Sequence, residues 1–352
     1  MHLYAVTCVL ALALALYGVP LARRAALLYN IVDKPDGKLK QQREPVPYLG
    51  GLAIYLAFLM SLAFTFEFRH DVLGIILGGT IVVMLGLIDD FGVLSPMTKL
   101  IGQLLAVFIL IKSGIRISIA ALPDWLDLAL TVWWMVGLIN AFNLLDIMDG
   151  LAAGVGVVCA TCLLIVSLLN GDQGTAVMSA ALAGSLLGFL RYNWHPANIY
   201  MGDTGAMFIG LMLGALSMIG QYAVRQDLAL LSPILILGVP IFDTLFVMYV
   251  RYRRGLPMFL GSPDHMPLRL RRWGLSVTQV VAVSYAASAF FGGLGILLIF
   301  ADRQTALVIC LLSGVLALAA AYVLLRVDTR ASLAAASGAP TSIRTTRKAR
   351  SA

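Results

Sequence analysis

Long apolar runs follow one another along almost the whole chain and restrict its fold more than any other feature. A helix needs about 20 apolar residues to cross the hydrocarbon core of a bilayer, and eleven stretches approach that length. Only 12% of the residues are charged, against about 25% in soluble domains. We therefore predict an all-α, polytopic membrane protein with about eleven transmembrane helices. The stretches lie near 3–22, 48–66, 72–88, 100–112, 126–142, 152–169, 175–190, 204–220, 229–250, 277–299 and 305–325.

Basic residues are divided unequally between the two sets of loops that these spans would create. If the loop after the first span is cytoplasmic, that side collects 20 of the 25 Lys and Arg residues. The positive-inside rule then places the N-terminus outside and the C-terminus in the cytoplasm. This distribution accounts for much of the net charge of +7, so no nucleic-acid partner is needed to explain it.

The sequence predicts one membrane domain followed by a polar tail. Residues 1–326 contain all the apolar stretches without an internal repeat or a soluble domain. Residues 3–20 are interpreted as a retained helix, because Arg23 and Arg24 follow the apolar core, whereas a cleaved signal has its charges before it. Residues 327–352 are rich in Ala, Ser, Thr and Arg, and we expect a disordered basic tail near the anionic inner leaflet. A solvated terminus without a role is the alternative.

The loops predicted on the outer side are short, apart from 113–125. The alternation over Ile115–Ile119 fits either a short strand or an interfacial segment. The conspicuous acidic and basic segments all fall on the inner side. This asymmetry favours an active site at the cytoplasmic face over a pore.

Asp89 and Asp90 end the third apolar stretch. A carboxylate at a membrane boundary is costly and is a functional candidate by default. Two adjacent carboxylates repel each other, so a cation or a shared proton is their natural partner. The alternative is a simple cap that ends the helix.

Polar residues recur at every third position from the end of the fifth apolar stretch onward, as Asn140, Asn143, Asp146 and Asp149, and Gly150 ends the run. Each step of three along an α-helix turns the side chain back by about 60°, so the four cannot converge on one ligand from a regular helix. We therefore predict that the fifth span unwinds near Asp146, with Asp146 and Asp149 on the turn.

The segment 193–205 precedes the eighth apolar stretch and places Asp203 between two glycines, where the backbone can approach a ligand closely. With the other two acidic segments, Asp203 becomes a third candidate metal ligand from a separate helix. Mg²⁺ commonly takes one or two carboxylates together with substrate phosphates. The alternative is that Asp203 caps the next helix. His195 and His70 are interpreted as structural.

Cations cluster after the ninth stretch, where the loop 251–276 carries six arginines and His265. Arginine suits bidentate contacts to phosphate, although some of these residues fit ordinary inner-face anchors. Lys99 is a further candidate for a phosphate contact. Asp243, inside the ninth stretch, either pairs with a neighbouring helix or lines the inner cavity.

Five segments, taken in order, resemble the polyprenyl-phosphate N-acetylhexosamine-1-phosphate transferases of glycosyltransferase family 4. They are Asp33-x-Pro35 leading to Pro45-x-Pro47-x-x-Gly50-Gly51, then Asp89-Asp90, 140–150, 193–205 and 251–276. The resemblance covers essentially all the predicted spans. It implies transfer of a sugar 1-phosphate, GlcNAc 1-phosphate in the first instance, from a UDP-N-acetylhexosamine to undecaprenyl or another polyprenyl phosphate, with release of UMP. It also implies Mg²⁺, with Mn²⁺ as an alternative, and the first membrane step of envelope polysaccharide synthesis in the bacterial plasma membrane.

The resemblance also implies roles for individual residues. Asn143 and Asp203 match metal ligands, and Lys99 matches a contact to the diphosphate. Asp146 and Asp149 match positions near the nucleotide, and Asn193 is taken as substrate-binding. Asp89 and Asp90 match a catalytic pair that acts as nucleophile or as base. His265 matches a catalytic loop histidine, and Arg269 a contact to the sugar diphosphate.

This chain departs from the family pattern at several positions. Many relatives carry three histidines in the last loop, whereas only His265 remains here, with Pro267 and Leu268 following it. Gln41 and Gln42 stand where a histidine often precedes Pro-x-Pro, and Ala206 replaces a common serine. These departures indicate a divergent branch and leave the sugar specificity open.

Two other classes of protein remain as alternatives. A secondary transporter would use the acids as ion-coupling sites, but such sites lie near the midplane between repeated halves, and no repeat is found here. A catalytically silent family member is the second alternative, because of the absent histidines. The prenyl length, a homodimer, and a one-step or covalent mechanism also stay open.

Overall fold

The computed structural model describes residues 2–33, 45–65, 70–92, 94–220, 222, 227–257 and 262–327. Within these ranges the chain is almost entirely helical, as predicted. The predictions for residues 34–44, 66–69 and 328–352, which include most of the first basic loop and the tail, lie outside the described residues. The elements are α1 (His2–Leu28), β1 (Val32–Asp33), β2 (Val46–Pro47), α2 (Gly50–Thr65), α3 (His70–Asp90), α4 (Pro96–Lys112), α5 (Asp124–Leu145), α6 (Leu151–Leu169), α7 (Gln173–Asn193), α8 (Gly202–Ile219), a 3₁₀ helix (Asp227–Leu231), α9 (Ser232–Ile236), α10 (Gly238–Arg253), α11 (Met266–Arg272), α12 (Val277–Phe300) and α13 (Arg303–Leu325).

Each of the eleven predicted stretches falls on helix, but fewer than eleven helices meet the requirements for a span. Among the described residues, eight helices are long and apolar enough to cross a membrane, or nine if one bent pair forms a single span. That pair, Asp227–Ile236 and Gly238–Arg253, meets at 78°. Helices α2 and α4 have 16 and 17 residues, which is near the lower limit for a spanning helix. The protein is thus polytopic, and the number of eleven crossings stays a prediction.

The ends of several helices are set by local capping residues. Ser95 accepts a hydrogen bond from the Thr98 backbone N–H at 3.2 Å, and proline occupies the first position of α4. Ser276 and Gln279 form a reciprocal capping box at the start of α12. These side chains satisfy backbone N–H groups that have no partner within the helix.

The fifth span unwinds where the sequence predicts it. Helix α5 ends at Leu145, Asp146 follows with φ −79° and ψ 56°, and α6 begins at Leu151. Gly150 has φ 77°, a left-handed conformation that suits glycine. The predicted break near Asp146 is confirmed.

Helices α6, α7 and α8 are the most buried, and α1 and α13 the most exposed. Leucines on α13 illustrate this, since Leu311 is 69% exposed and Leu318 is 73% exposed. An apolar outer surface of this extent fits contact with lipid, because soluble proteins rarely expose it.

The little extended structure that exists differs from the prediction. Strands β1 and β2 pair antiparallel, with Val32 opposite Pro47. No strand forms over Ile115–Ile119, so that alternative is wrong. The Ile117 N–H donates to Thr131 Oγ1 at 2.9 Å, and the Ile119 N–H donates to Asp127, because side chains of α5 satisfy this backbone in place of a partner strand.

Candidate active site

A cavity of about 670 Å³ opens where the ends of several helices meet. Six aspartates line it together with Asn143, and they come from β1, α3, the turn after α5, and α8. Acidic segments that are far apart in sequence therefore share one space. The lining residues are Asp33, Tyr48, Asp89, Asp90, Gly92, Asn143, Asp146, Ile147, Met148, Asp149, Asn193, Tyr200, Gly202 and Asp203.

Lys99 joins three of the helix ends that bear these side chains. Its Nζ lies 2.7 Å from Asp89 Oδ2 and 3.1 Å from Asn143 Oδ1, and it also donates to Asp203 Oδ2. Asn143 Nδ2 donates to Asp203 Oδ1 at 2.7 Å. Four of the residues singled out from the sequence thus form one hydrogen-bonded cluster.

Asp90 has a different set of partners from its neighbour in sequence. Its Oδ1 accepts from the Asp203 N–H at 2.7 Å, and its Oδ2 accepts from Thr204 Oγ1 at 2.6 Å. A carboxylate is favourable at a helix N-terminus, so Asp90 on α3 caps the start of α8. Gly202 permits this approach, since a Cβ there would lie 2.5 Å from Asp90 Oδ2. The alternative in which Asp203 caps its own helix is therefore wrong.

Asp146 is mostly buried and faces other carboxylates. Burial raises the pKa of Asp146 to about 8, with further contributions from Asp203, Asp90 and Asp149. Within the described ranges, no hydrogen-bond donor reaches this carboxyl group. The side chain therefore gains from a cation in the cavity or from retaining its proton.

Asp149 lies on the same turn and contacts the segment between α7 and α8. Its Oδ2 is 2.7 Å from His195 Nδ1 and accepts from the Ala197 N–H at 3.1 Å. No sequence pattern predicts this pairing, because the two residues are 46 positions apart.

Asn193 joins the same two segments with both ends of its amide. Its Oδ1 accepts from the Gly150 N–H at 2.9 Å, and its Nδ2 donates to the Ile199 carbonyl at 3.0 Å. The residue touches the cavity but is only 3% exposed. Its side chain thus supports the cavity wall.

One wall of the cavity consists of residues that the sequence analysis did not single out as site residues. Asp33 appeared there only as part of the Asp33-x-Pro35 motif. Tyr48 and Tyr200 line this wall with Asp33. Burial and a hydrogen bond to Asp33 raise the pKa of Tyr48. Burial, with the charges of Asp149 and Asp33, raises the pKa of Tyr200 to about 12, so both phenols are neutral donors. Neither tyrosine belongs to a sequence pattern that distinguishes it from other aromatic residues of the chain.

Asn140 does not join the other polar residues of its run. It forms a reciprocal amide pair with Gln103, donating at 2.9 Å and accepting at 3.4 Å. Gln103 lies one turn after Lys99 on α4, and Asn140 lies one turn before Asn143 on α5. The pair therefore fixes the axial position of α4 relative to α5.

His265 is not among the residues that line the cavity. Its Nδ1 is 2.7 Å from Asp243 Oδ2, and the Met266 N–H donates to Asp243 Oδ1 at 2.6 Å. The histidine and the aspartate are 2% and 1% exposed. Asp243 thus pairs with a neighbouring element, as one of the two alternatives had it.

Arg269 is placed away from the predicted diphosphate contact. Its guanidinium is 2.8 Å from Asp264 Oδ1 and donates to the carbonyls of Leu324 and Val327 at the end of α13. The side chain is 1% exposed. These bonds use the guanidinium to anchor α11 on α13, which the arginine pattern alone did not distinguish from phosphate binding.

The donor set of the cavity fits a hard divalent cation. Six aspartates and Asn143 supply oxygen ligands, and the ammonium of Lys99 offsets only part of their charge. Among the described residues, no group of three or more His, Cys, Asp or Glu side chains has the geometry of a complete metal site. Mg²⁺ in proteins commonly takes one or two carboxylates and leaves its other positions to water and substrate phosphate.

The chain is similar to one protein family and to several known proteins. Residues 72–221 match the family described as Glycosyl transferase family 4, a range that holds Asp89 through Asp203 but not His265 or Arg269. A probable undecaprenyl-phosphate N-acetylglucosaminyl 1-phosphate transferase of Bacillus subtilis is 34% identical over 281 residues, covering 77% of this chain and 78% of that protein.

Two further relatives come from other bacteria. The decaprenyl-phosphate N-acetylglucosaminephosphotransferase of Mycobacterium leprae is 36% identical over 279 residues, covering 68% of this chain and 70% of that protein. The phospho-N-acetylmuramoyl-pentapeptide-transferase of Halalkalibacterium halodurans is 34% identical over 308 residues, covering 80% of this chain and 91% of that protein.

Proposed function

The chain belongs to glycosyl transferase family 4, and we propose that it transfers an N-acetylhexosamine 1-phosphate from a UDP-sugar to a polyprenyl phosphate. A bond forms between an oxygen of the lipid phosphate and the phosphorus that carries the sugar. The bond from that phosphorus to the bridging oxygen breaks, and UMP leaves. The observation that carries the proposal is the convergence of Asp89, Lys99, Asn143 and Asp203 in one hydrogen-bonded cluster.

The lipid acceptor and the sugar are proposed from the relatives. Two of them are named for N-acetylglucosamine phosphate transfer to undecaprenyl or decaprenyl phosphate. GlcNAc 1-phosphate and undecaprenyl phosphate are accordingly the first substrates to test. The product would be the first lipid-linked sugar of an envelope polysaccharide.

The residues of the cluster have separable tasks in this reaction. Asn143 and Asp203 would hold Mg²⁺, and Asp90 keeps Asp203 in place through the N-terminus of α8. A bound divalent cation supplies neutralisation of the charge that develops on the phosphates. Lys99 turns to the diphosphate. Asp89 acts either as a base that takes a proton from the lipid phosphate, or as a nucleophile that attacks the phosphorus carrying the sugar, releases UMP and is then displaced by the lipid phosphate.

The geometry of the reactants fits a site at the membrane boundary. A lipid phosphate lies at headgroup depth, whereas a nucleotide sugar arrives from water. We place the cavity at the cytoplasmic face of a bacterial plasma membrane, with the N-terminus outside and the C-terminus inside. Residues 1–326 form the transferase domain in this proposal, and residues 327–352 a tail; a homodimer is not part of it.

The direct test is to incubate the purified protein with UDP-GlcNAc, undecaprenyl phosphate and Mg²⁺, and to measure UMP and the lipid product. We expect both in equal amounts, and neither after chelation of the metal. Absence of UMP with every UDP-N-acetylhexosamine would refute the proposal. Omitting the lipid distinguishes the mechanisms, because a covalent intermediate on Asp89 gives one UMP per protein, whereas a one-step attack gives none.

A further inference from the structure

The Asp149 carboxylate uses only one of its two oxygens for hydrogen bonds within the described residues. Both bonds from the segment between α7 and α8, from His195 Nδ1 and the Ala197 N–H, end on Oδ2. In the part of the chain that the structure describes, no donor reaches Oδ1. Since the residue lines the cavity, Oδ1 can accept a hydrogen bond from a ligand.

His195 is not needed to hold these two segments together. Asn193 joins them through Gly150 and Ile199, and the Tyr285 hydroxyl donates to the Gly150 carbonyl. The Asn193 side chain is buried and bonds to the backbone of both segments. The His195 side chain, in contrast, is 44% exposed. Loss of the imidazole should therefore leave the backbone in place.

The carboxylate itself depends on the imidazole for its orientation. Rotation about the last torsion of an aspartate has a broad profile, and a single N–H from Ala197 leaves that rotation open. Two donors on one oxygen fix the plane of the carboxylate. A fixed acceptor binds its ligand without the cost of ordering it first.

We infer that His195 is a positioning residue that orients Asp149 as a hydrogen-bond acceptor for a donor group of the nucleoside, an imide N–H or a ribose hydroxyl. The inference rests on the proposed function, because it takes the cavity as the site of a UDP-sugar. His195 acts through Asp149 and does not touch the reacting atoms.

The test compares His195→Ala with His195→Asn, whose amide can donate to the same oxygen. We expect His195→Ala to raise the KM for UDP-GlcNAc about tenfold, the size of one lost hydrogen bond to a charged group, with kcat and the KM for undecaprenyl phosphate within about twofold. His195→Asn should recover most of this loss. Tyr192→Phe is the matched control, because it removes a bond from the same segment to Leu16 and none to Asp149.

A double-mutant cycle separates positioning from general support of the fold. The Kd for UDP-GlcNAc, measured by calorimetry so that slow variants can be compared, should be the same in Asp149→Ala with and without His195→Ala. Additive losses, or an equal rise in both KM values with a lowered Tm, would overturn the inference. A wild-type protein that binds no UDP-sugar would instead overturn the proposed function.

Discussion

Asp89 and Asp90 are adjacent in sequence but serve different parts of the site. Asp89 contacts the Lys99 ammonium, whereas both oxygens of Asp90 accept from the first residues of α8. The pair repels less than two free carboxylates would, because each has its own positive partner. We therefore propose Asp89 as the member of the pair that takes part in the reaction.

Replacing Asp89 by Asn should reduce turnover by about 10²–10⁴-fold, the usual contribution of a positioned base. The Tm should change little, since the amide keeps the shape and can still accept from Lys99. Steady-state UMP release and thermal unfolding in detergent measure the two quantities. Asp124→Asn is the control, because its side chain is 85% exposed and pairs with Arg116. An active Asp89→Asn protein would remove this residue from the chemistry.

The raised pKa of Asp146 predicts that metal binding depends on pH. The unfolded chain loses this proton near pH 4, whereas the folded, metal-free protein keeps it to about pH 8. Stability therefore falls as pH rises through that window, and a cation must displace the proton. Mn²⁺ affinity should rise about tenfold per pH unit between 6 and 8, and lose most of that slope in Asp146→Asn. Identical slopes in the two proteins would show that metal binding does not displace the Asp146 proton.

At the scale of elements, the N-terminus of α2 supports the start of α8 by close backbone contact. The Gly51 N–H donates to the Met201 carbonyl at 3.0 Å. A Cβ on Gly51 would lie 2.1 Å from the Gly205 nitrogen, so the two backbones meet where only glycine fits. This contact holds the segment from which Asp203 projects.

Gly51→Ala should therefore destabilise the protein by about 1–3 kcal/mol, as overpacking does, and lower turnover with it. Gly137→Ala in the middle of α5 is the matched control, because nothing lies within 4 Å of its Cβ position. A helical glycine with open space gains about 0.5–1 kcal/mol on becoming alanine. Thermal unfolding measures both changes, and an unchanged Tm in Gly51→Ala would show that α2 and α8 are not in this contact.

At the scale of the whole molecule, the orientation in the membrane can be tested by labelling. With the four native cysteines replaced, Met97→Cys should react with an impermeant maleimide only from the cytoplasmic side. Gln304→Cys should react only from outside. Met97 lies two residues before Lys99 and is 64% exposed, and Gln304 lies in the first turn of α13, just after the C-terminal end of α12. The reverse labelling pattern would place the cavity on the outer side of the membrane, where cytoplasmic UDP-sugar does not reach it.

The sequence predicted helix positions and the helix break well, because periodicity, length and polar runs report directly on the backbone. It also predicted that Asp89, Asn143 and Asp203 lie in one site, since all three are near helix ends. It did not predict the Asn140–Gln103 pair or the burial of Arg269 on Asp264. Those partners depend on how helices rotate about their own axes against neighbours, and one sequence gives little information on that rotation.

Electron paramagnetic resonance of Mn²⁺ with the purified protein and UDP-GlcNAc measures whether the acidic cluster binds a divalent cation. We expect a single bound ion. Its affinity should fall more than about tenfold in Asp203→Asn and in Asn143→Ala, as in other disturbed metal sites, and stay unchanged in Asp124→Asn. Wild-type affinity in Asp203→Asn would contradict this expectation.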